Sequence, residues 1–311
     1  MTSFTDIDLL RELEPVAAAN LDRHLGLAAE WMPHEYVPWS QGRDFDTLAW
    51  EPDQSRLSDV AQVAFEVGLL TEDNLPSYHR VIATTFGRDG AWGTWVHRWT
   101  AEEGRHAIAM RDYLMVTRGV DPVALERGRM IQMQHGFDGD EKTPLRAIAY
   151  VSFQELATRI SHRNTGRFTQ DPTAEKLLAR VAADENLHMI FYRNLITAAL
   201  EIARSATVRA IAEEIVAFQM PGTGIDDFDR KAKQIARAGI YDLRIHHDEV
   251  VTPLLRHWKF FDLDGLDAQA EQARTNVAQY LEAVDGLARK HEEKRANAEE
   301  KRANALAAAQ A

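Results

Sequence analysis

The sequence predicts an all-α protein. Alternating runs of β-branched residues and Asn-Gly hairpin turns are missing. Long stretches instead repeat their apolar residues every 3.6 positions. Proline follows Asp or Thr at Asp121-Pro122, Thr143-Pro144 and Asp171-Pro172. That pair reads as an N-cap with proline in the first helical turn.

The elements follow in order. A first helix is expected near 7–29. The stretch WMPHEYVPWSQGRDFDTLAWEPD, rich in aromatics and proline, reads as irregular. Long helices follow at about 57–86, 90–118, 143–169 and 172–202, with another opening at Asp121-Pro122. Shorter ones are expected at 205–219, 226–238, 242–257 and 266–290. Within the 57–86 helix, Pro76 cannot donate to the carbonyl of residue 72, so a kink is expected there. Glu292–Ala298 (EEKRANA) recurs as Glu299–Ala305. Its charges fit i,i+4 pairs on a helix, and it has no leucine stripe for a coiled coil. The expected organisation is a single all-helical domain over 1–288 and a polar, low-complexity helical tail over 289–311.

Composition narrows the chemistry. Of the 311 residues, 45% are hydrophobic and 27% charged, a balance that supports one buried core without covalent staples. The absence of cysteine excludes disulfides, zinc–thiolate sites, iron–sulfur ligation and a cysteine nucleophile. Any bound metal must be held by His, Asp or Glu, which suit iron, manganese or zinc. A net charge of −12 argues against nucleic acid as a partner. No run approaches the roughly 20 apolar residues of a membrane span. The first residues, MTSFTDIDLLRELEP, are acidic and carry no basic leader, so no signal or transit peptide is expected, and the cytoplasm is the expected location. No P-loop, H-E-x-x-H or G-x-G-x-x-G is present. His246-His247-Asp248-Glu249 has no partner cluster and reads as surface polar residues.

Two Glu-x-x-His motifs, Glu103–His106 and Glu185–His188, place a carboxylate and an imidazole on one helix face. Either alone is weak evidence. Each, however, follows another glutamate: Glu72 precedes Glu103 by 31 positions and Glu155 precedes Glu185 by 30. Glu155 follows Glu72 by 83 positions, and Glu185 follows Glu103 by 82. The chain thus repeats a helix pair that contributes Glu, then Glu-x-x-His. This is the ligand set of ferritin-like di-iron and di-manganese four-helix bundles. Each glutamate also sits in an apolar stripe, such as Val96, Trp99, Ala107 and Met110 around Glu103. Burying four unpaired carboxylates is costly, and a dinuclear cation makes it tolerable.

At these residues the chain resembles the soluble acyl carrier protein (acyl-ACP) desaturases, especially their actinobacterial branch. The stretches that carry the resemblance are TEDNLPSYHR (71–80), RWTAEEGRH (98–106), YVSFQELATRISHRNTG (150–166) and ADENLHMIFYR (183–193). They lie in order, and the resemblance covers roughly 8–262. It implies a homodimer with a ferritin-like four-helix bundle core inside a larger helical domain. It also implies two Fe ions per subunit, ferredoxin as electron donor, and O2-dependent insertion of a cis double bond into a fatty acyl chain on acyl carrier protein. Carried over by position, the iron ligands are Glu72, Glu103, His106, Glu155, Glu185 and His188.

The resemblance further implies that Trp31 and Asp184 form a relay to His106, although core packing also explains Trp31. It places Thr158 on the oxygen-binding side of the metals, although a helical Thr also bonds its own backbone. It places Asp229 near substrate entry. Arg230, Lys231, Lys233 and Arg237 are candidates for a basic patch that an acidic carrier needs, and equally for a solvated helix face. Trp92, Trp95, Val81 and Met110 read as tunnel lining or as core. Gly104 stands where the family carries Asn. Two other readings fit the same scaffold: a di-iron hydroxylase and a non-catalytic iron-binding protein.

Overall fold

The computed structural model describes residues 5–137 and 141–310. It is helical throughout, and no strand occurs among the described residues. The first helix, α1 (Asp6–Leu27), opens on a reciprocal cap between Thr5 and Asp8. Residues 28–58 carry only short 3-10 turns, as the prolines there require.

The expected 57–86 helix is two helices, α2 (Asp59–Asp73) and α3 (Leu75–Phe86), broken at Asn74. Pro76 lies in the first turn of α3, where its missing N–H costs nothing. Buried Asn74 donates its amide to the Gly136 carbonyl at 2.8 Å and so pins the break to the next layer.

Next come α4 (Gly90–Val116), α5 (Pro122–His135), α6 (Pro144–Thr169) and α7 (Pro172–Ile202). Asp121, Thr143 and Asp171 cap the last three through their side chains, as the dipeptides predict. The chain continues through α8 (Arg204–Ala217) and α9 (Phe228–Arg237). The expected 242–257 helix is interrupted: α10 (Leu243–Ile245) passes into a π-helical turn, His246–Val251, before α11 (Thr252–His257). The final helix, α12 (Ala268–Gln310), joins the expected 266–290 helix and the expected helical tail in one unbroken element. The EEKRANA repeat continues that helix; the side chains of Glu299, Arg302, Ala303 and Ala305 fall outside the described residues.

Four helices form the bundle that holds the predicted site. Around the ring, α2 packs on α4, α4 on α7, α7 on α6 and α6 back on α2. Only Gln170 and Asp171 join α6 to α7, which makes that pair antiparallel. Gly166 allows their close approach, since a Cβ there would lie 3.1 Å from the Glu175 backbone. Helix α1 covers α7 and α4, and α8 covers α6 and α7.

The apolar core is split into two clusters. One centres on Trp95, Phe153, Phe191 and Leu195, the other on Phe65, Leu69, Met110 and Leu178. Each such buried side chain contributes about 1.5–3 kcal/mol. The glutamates and histidines of the motifs come from helices that help to build the clusters: α4 and α7 contribute to both, α6 to the first and α2 to the second.

Candidate metal centre

Glu72 ends α2, Glu103 and His106 lie in mid-α4, Glu155 in mid-α6, and Glu185 and His188 in mid-α7. Helical spacing turns all six inward, and all six are buried. Their polar atoms converge as two overlapping groups, each with its atoms within 4.8 Å of one another. One group is Glu72, Glu103, His106 and Glu185; the other is Glu103, Glu155, Glu185 and His188. Glu103 and Glu185 belong to both. The pattern is that of two four-ligand sites sharing two carboxylates.

The distances fit the same pattern. Nδ1 of His106 lies 3.2 Å from Glu185, 3.5 Å from Glu72 and 3.6 Å from Glu103. Nδ1 of His188 lies 2.8 Å from Glu103, 3.5 Å from Glu155 and 3.8 Å from Glu185. Several inward atoms lie at these ion-pair distances without hydrogen-bond alignment to any partner: Glu103 Oε1, His106 Nδ1, Glu155 Oε2, Glu185 Oε1 and His188 Nδ1. Buried polar atoms are rarely left so, and their arrangement in two overlapping groups is compatible with a space for cations.

Titration behaviour reflects this crowding. Burial pushes the Glu185 carboxyl well up, and the charges of Glu103, Glu155 and Glu72 push it further. Burial also raises Glu103. Burial alone would raise Glu72, but the nearby His106 and the hydrogen-bonded His162 outweigh it and hold its carboxyl below the usual range. Burial would depress both imidazoles. The Glu103 charge and the Asp184 contact reverse this for His106, as Glu102 and Glu103 do for His188, and both end well above the ordinary value. A metal ion would take the place of those protons.

The outer layer is paired crosswise. Nε2 of His106 faces Asp184 of α7 at 3.5 Å, and Asp184 accepts from Trp31 Nε1 at 2.7 Å and from Arg180 and Arg105. Trp31, Asp184 and His106 are thus neighbours. Nε2 of His188 meets Glu102 of α4 at 3.0 Å. His162 meets Glu72 at 2.7 Å.

A largely apolar cavity runs past the carboxylates. Its α6 wall is a stripe from Ala147 to His162, about 22 Å at 1.5 Å per residue, with Glu155 near the middle. Val67, Val81, Ile82 and Trp99 line it, as do Glu72, Glu103 and Thr158. The Thr158 hydroxyl donates to the Gln154 carbonyl at 2.9 Å and accepts from the Gln154 amide at 2.8 Å. The backbone bond weighed for it in sequence is therefore present, alongside its place in the cavity wall.

Of the other candidates, Val81 lines the cavity, whereas Trp92, Trp95 and Met110 are core. Asp229 is exposed in the first turn of α9, one position after Phe228, which lines the cavity. Of the basic residues on α9, Lys231 is drawn to Glu66 at 3.0 Å and Arg230 pairs with Asp227, while Lys233 and Arg237 are exposed. His246 is half-buried against Phe218, and His247 bonds its neighbour Asp248 at 2.6 Å. Neither belongs to the metal-type clusters found among the described residues.

Sequence reasoning missed Glu102, His24 and His162. The first carried a signal: an acid directly precedes Glu in both motifs, Glu102 before Glu103 and Asp184 before Glu185. His162, seven positions after Glu155, shares its helix face. His24 carried none, because only the fold brings α1 to this place.

Comparisons with known proteins bear on the family and the fold. The model of the fatty acid desaturase family matches residues 5–307. DesA1 of Mycobacterium tuberculosis, provisionally named an acyl-carrier-protein desaturase, is 49% identical over 292 residues, covering 90% of this chain and 86% of that one. The chloroplastic stearoyl-acyl-carrier-protein 9-desaturase of Gossypium hirsutum is 31% identical, covering 93% and 78%. The X-ray structure of M. tuberculosis DesA2 superposes with a TM-score of 0.70 at 33% identity, covering 85% of this chain and 98% of that one. No helix among the described residues is long and apolar enough to cross a membrane. The chain belongs to the fatty acid desaturase family.

Proposed function

We propose that this protein is an acyl-ACP desaturase, which converts a saturated fatty acyl chain on acyl carrier protein to a cis-unsaturated one. The observation that carries this reading is the position of the carboxylate–imidazole cluster in the middle of an apolar, helix-walled cavity. A storage protein has no need of such a cavity, and a hydrolase would not set its polar groups against bare methylenes.

Two iron ions per chain fit the donor set of Glu72, Glu103, His106, Glu155, Glu185 and His188, which is all oxygen and nitrogen with two shared carboxylates. Bound iron supplies the oxidising power with O2 that no amino-acid acid or base has for an unactivated C–H bond. The balance is one acyl CH2–CH2 plus O2, two electrons and two protons, giving CH=CH and two waters. The electrons come from ferredoxin or a similar donor.

The chain's own residues supply position. The α6 stripe and Val67, Val81 and Ile82 hold the acyl chain extended beside Glu155. Their apolar surface keeps bulk water from the site. Thr158 presents a hydroxyl to the same space. Glu102 fixes the tautomer of His188 through its hydrogen bond to Nε2, and Asp184 faces Nε2 of His106 at 3.5 Å, so that Nδ1 of each ring faces inward. Trp31 connects Asp184 to the segment after α1 and serves as the route for electrons. Asp229, beside Phe228 on α9, marks the substrate entrance, and the exposed Lys233 and Arg237 face the acidic carrier. The working form is a homodimer, with residues 1–288 as the catalytic domain and 289–311 as an appended tail.

The test is to reconstitute the iron form with reduced ferredoxin and a panel of acyl carriers and to weigh the products. A loss of two hydrogens is expected. A gain of oxygen identifies a hydroxylase, and no O2-dependent turnover identifies a binding protein. Glu72→Ala and Glu155→Ala should fold yet give no product; full activity in both sinks the site assignment.

A further inference from the structure

Glu102 is buried, at 2% exposure, although it is not one of the six inward residues. Its Oε2 takes two imidazole nitrogens: Nε2 of His188 at 3.0 Å and Nε2 of His24 at 2.8 Å. His24 comes from α1, outside the four-helix bundle, and is fully buried. Its ring stacks over His188 at 5.8 Å, with the planes 25° apart, and stands edge-on to Trp95 at 5.1 Å. Arg98 and, at 3.7 Å, Arg105 face the other oxygen of Glu102 as ion pairs.

A carboxylate can only accept, so each imidazole must carry its proton on Nε2 to bond it. For His188 this leaves Nδ1, on the side of Glu103, Glu155 and Glu185, as the nitrogen whose proton a metal ion would replace. The two halves of the centre share this plan, although only His188 is within hydrogen-bond reach of its outer carboxylate. Asp184 backs His106 and is held by Trp31, which follows α1. Glu102 backs His188 and is held by His24, within α1. Without His24, the arginines would hold Glu102 from one side only, and its carboxylate could turn away from His188.

We propose that His24 is a positioning residue for the metal centre: by holding Glu102, it fixes the His188 ring with Nδ1 toward the shared carboxylates. This rests on the reading that the six inward residues bind metal. Helix α1 is therefore part of the centre's support as well as its cover.

Cobalt(II) is the probe, titrated into wild-type protein, His24→Gln and His24→Phe, with visible spectra and bound metal counted. Gln places its amide nitrogen where Nε2 lies and keeps the donor. Phe keeps the ring volume and loses the donor. Wild type should take two ions per chain. His24→Gln should keep both, and His24→Phe should bind one of the two about 10–100-fold more weakly, with an altered spectrum for that ion. A packing role predicts the reverse order, Phe tolerated and Gln not, and that order overturns the proposal, as does equal affinity in all three. Should His24→Phe not fold, His24→Asn replaces it: its amide is too short to reach Glu102, so full retention of both ions in that variant also overturns the proposal. If wild type itself binds no cobalt, the metal-centre reading fails with it, an outcome distinct from failure at His24 alone.

Discussion

Trp31 and Asp184 stand 153 positions apart in the chain and meet through an Nε1–H to Oδ2 hydrogen bond of 2.7 Å. Both are buried. Burial opposes ionisation of Asp184, but contacts with His106, Trp31 and Arg180 overcome it and hold the carboxyl down at about 2. A hydrogen bond to a charged group contributes about 1.5–3 kcal/mol. Trp31→Phe, which keeps most of the ring and loses the donor, should lower unfolding free energy by about that amount in urea. An unchanged midpoint would show that the bond does not brace Asp184.

Glu185 should trade stability for function. It lies among Glu72, Glu103 and Glu155, and its carboxyl is raised well above its ordinary value by burial and by those three charges. Where a folded-state carboxyl is raised, the unfolded chain releases its proton first, so metal-free stability falls as pH rises above the usual carboxylate range. Glu185→Gln removes that penalty. The metal-free variant should be more stable than wild type at neutral pH, by about 1–2 kcal/mol, and should lose the added stability that iron gives wild type. Paired urea melts with and without iron check both parts. A destabilised metal-free variant would contradict the prediction.

Gly104 lies inside α4, and a Cβ there would meet only Leu75 Cδ2, at 3.9 Å. Its φ needs no glycine, since it is absent from the left-handed positions. Gly104→Ala should therefore stabilise the protein by about 0.5–1 kcal/mol. Differential scanning calorimetry reads this as a rise in Tm. A fall would mean that the α4–α3 contact is tighter than the 3.9 Å gap shows.

The parts of this fold that were legible in sequence are those fixed locally. The capped starts at Asp121, Thr143 and Asp171, and the spacing of Glu72, Glu103, Glu155 and Glu185, depend on helix period and side-chain chemistry alone. The break at Asn74 was visible only as a kink, because the bond from Asn74 to Gly136 that sharpens it is long-range. The π-turn at His246–Val251 left no mark on the apolar period. The helical tail was legible in the i,i+4 charges of the EEKRANA repeat, but its unbroken join to the 266–290 helix was not, because the last turns lack an apolar stripe that would continue the period. His24 beside Glu102 joins residues 78 positions apart, a relation only tertiary packing creates.

His246 sets a pH dependence. It sits in the π-turn, stacked on Phe218 and bonded through Nδ1 to the Tyr241 hydroxyl at 2.9 Å. Burial first, and the neighbouring His247 second, lower it to about 4. Between pH 6.5 and 4 the unfolded chain binds the proton that the folded one refuses. Stability contributed by the neutral ring is complete above pH 6.5 and lost as pH falls toward 4. Partial exposure limits the loss to on the order of 2 kcal/mol. His246→Gln should shrink the drop in urea midpoint between pH 7.5 and 5. An identical drop in both proteins would assign it to other groups.

The two overlapping groups of ligands predict a pair of metal ions held between Glu103 and Glu185. Anomalous diffraction at the iron edge, from crystals grown anaerobically with ferrous iron, tests it most directly. Two peaks about 3.5–4 Å apart are predicted, one against Glu72 and His106 and the other against Glu155 and His188. A single peak, or iron anywhere else in the molecule, would contradict the account.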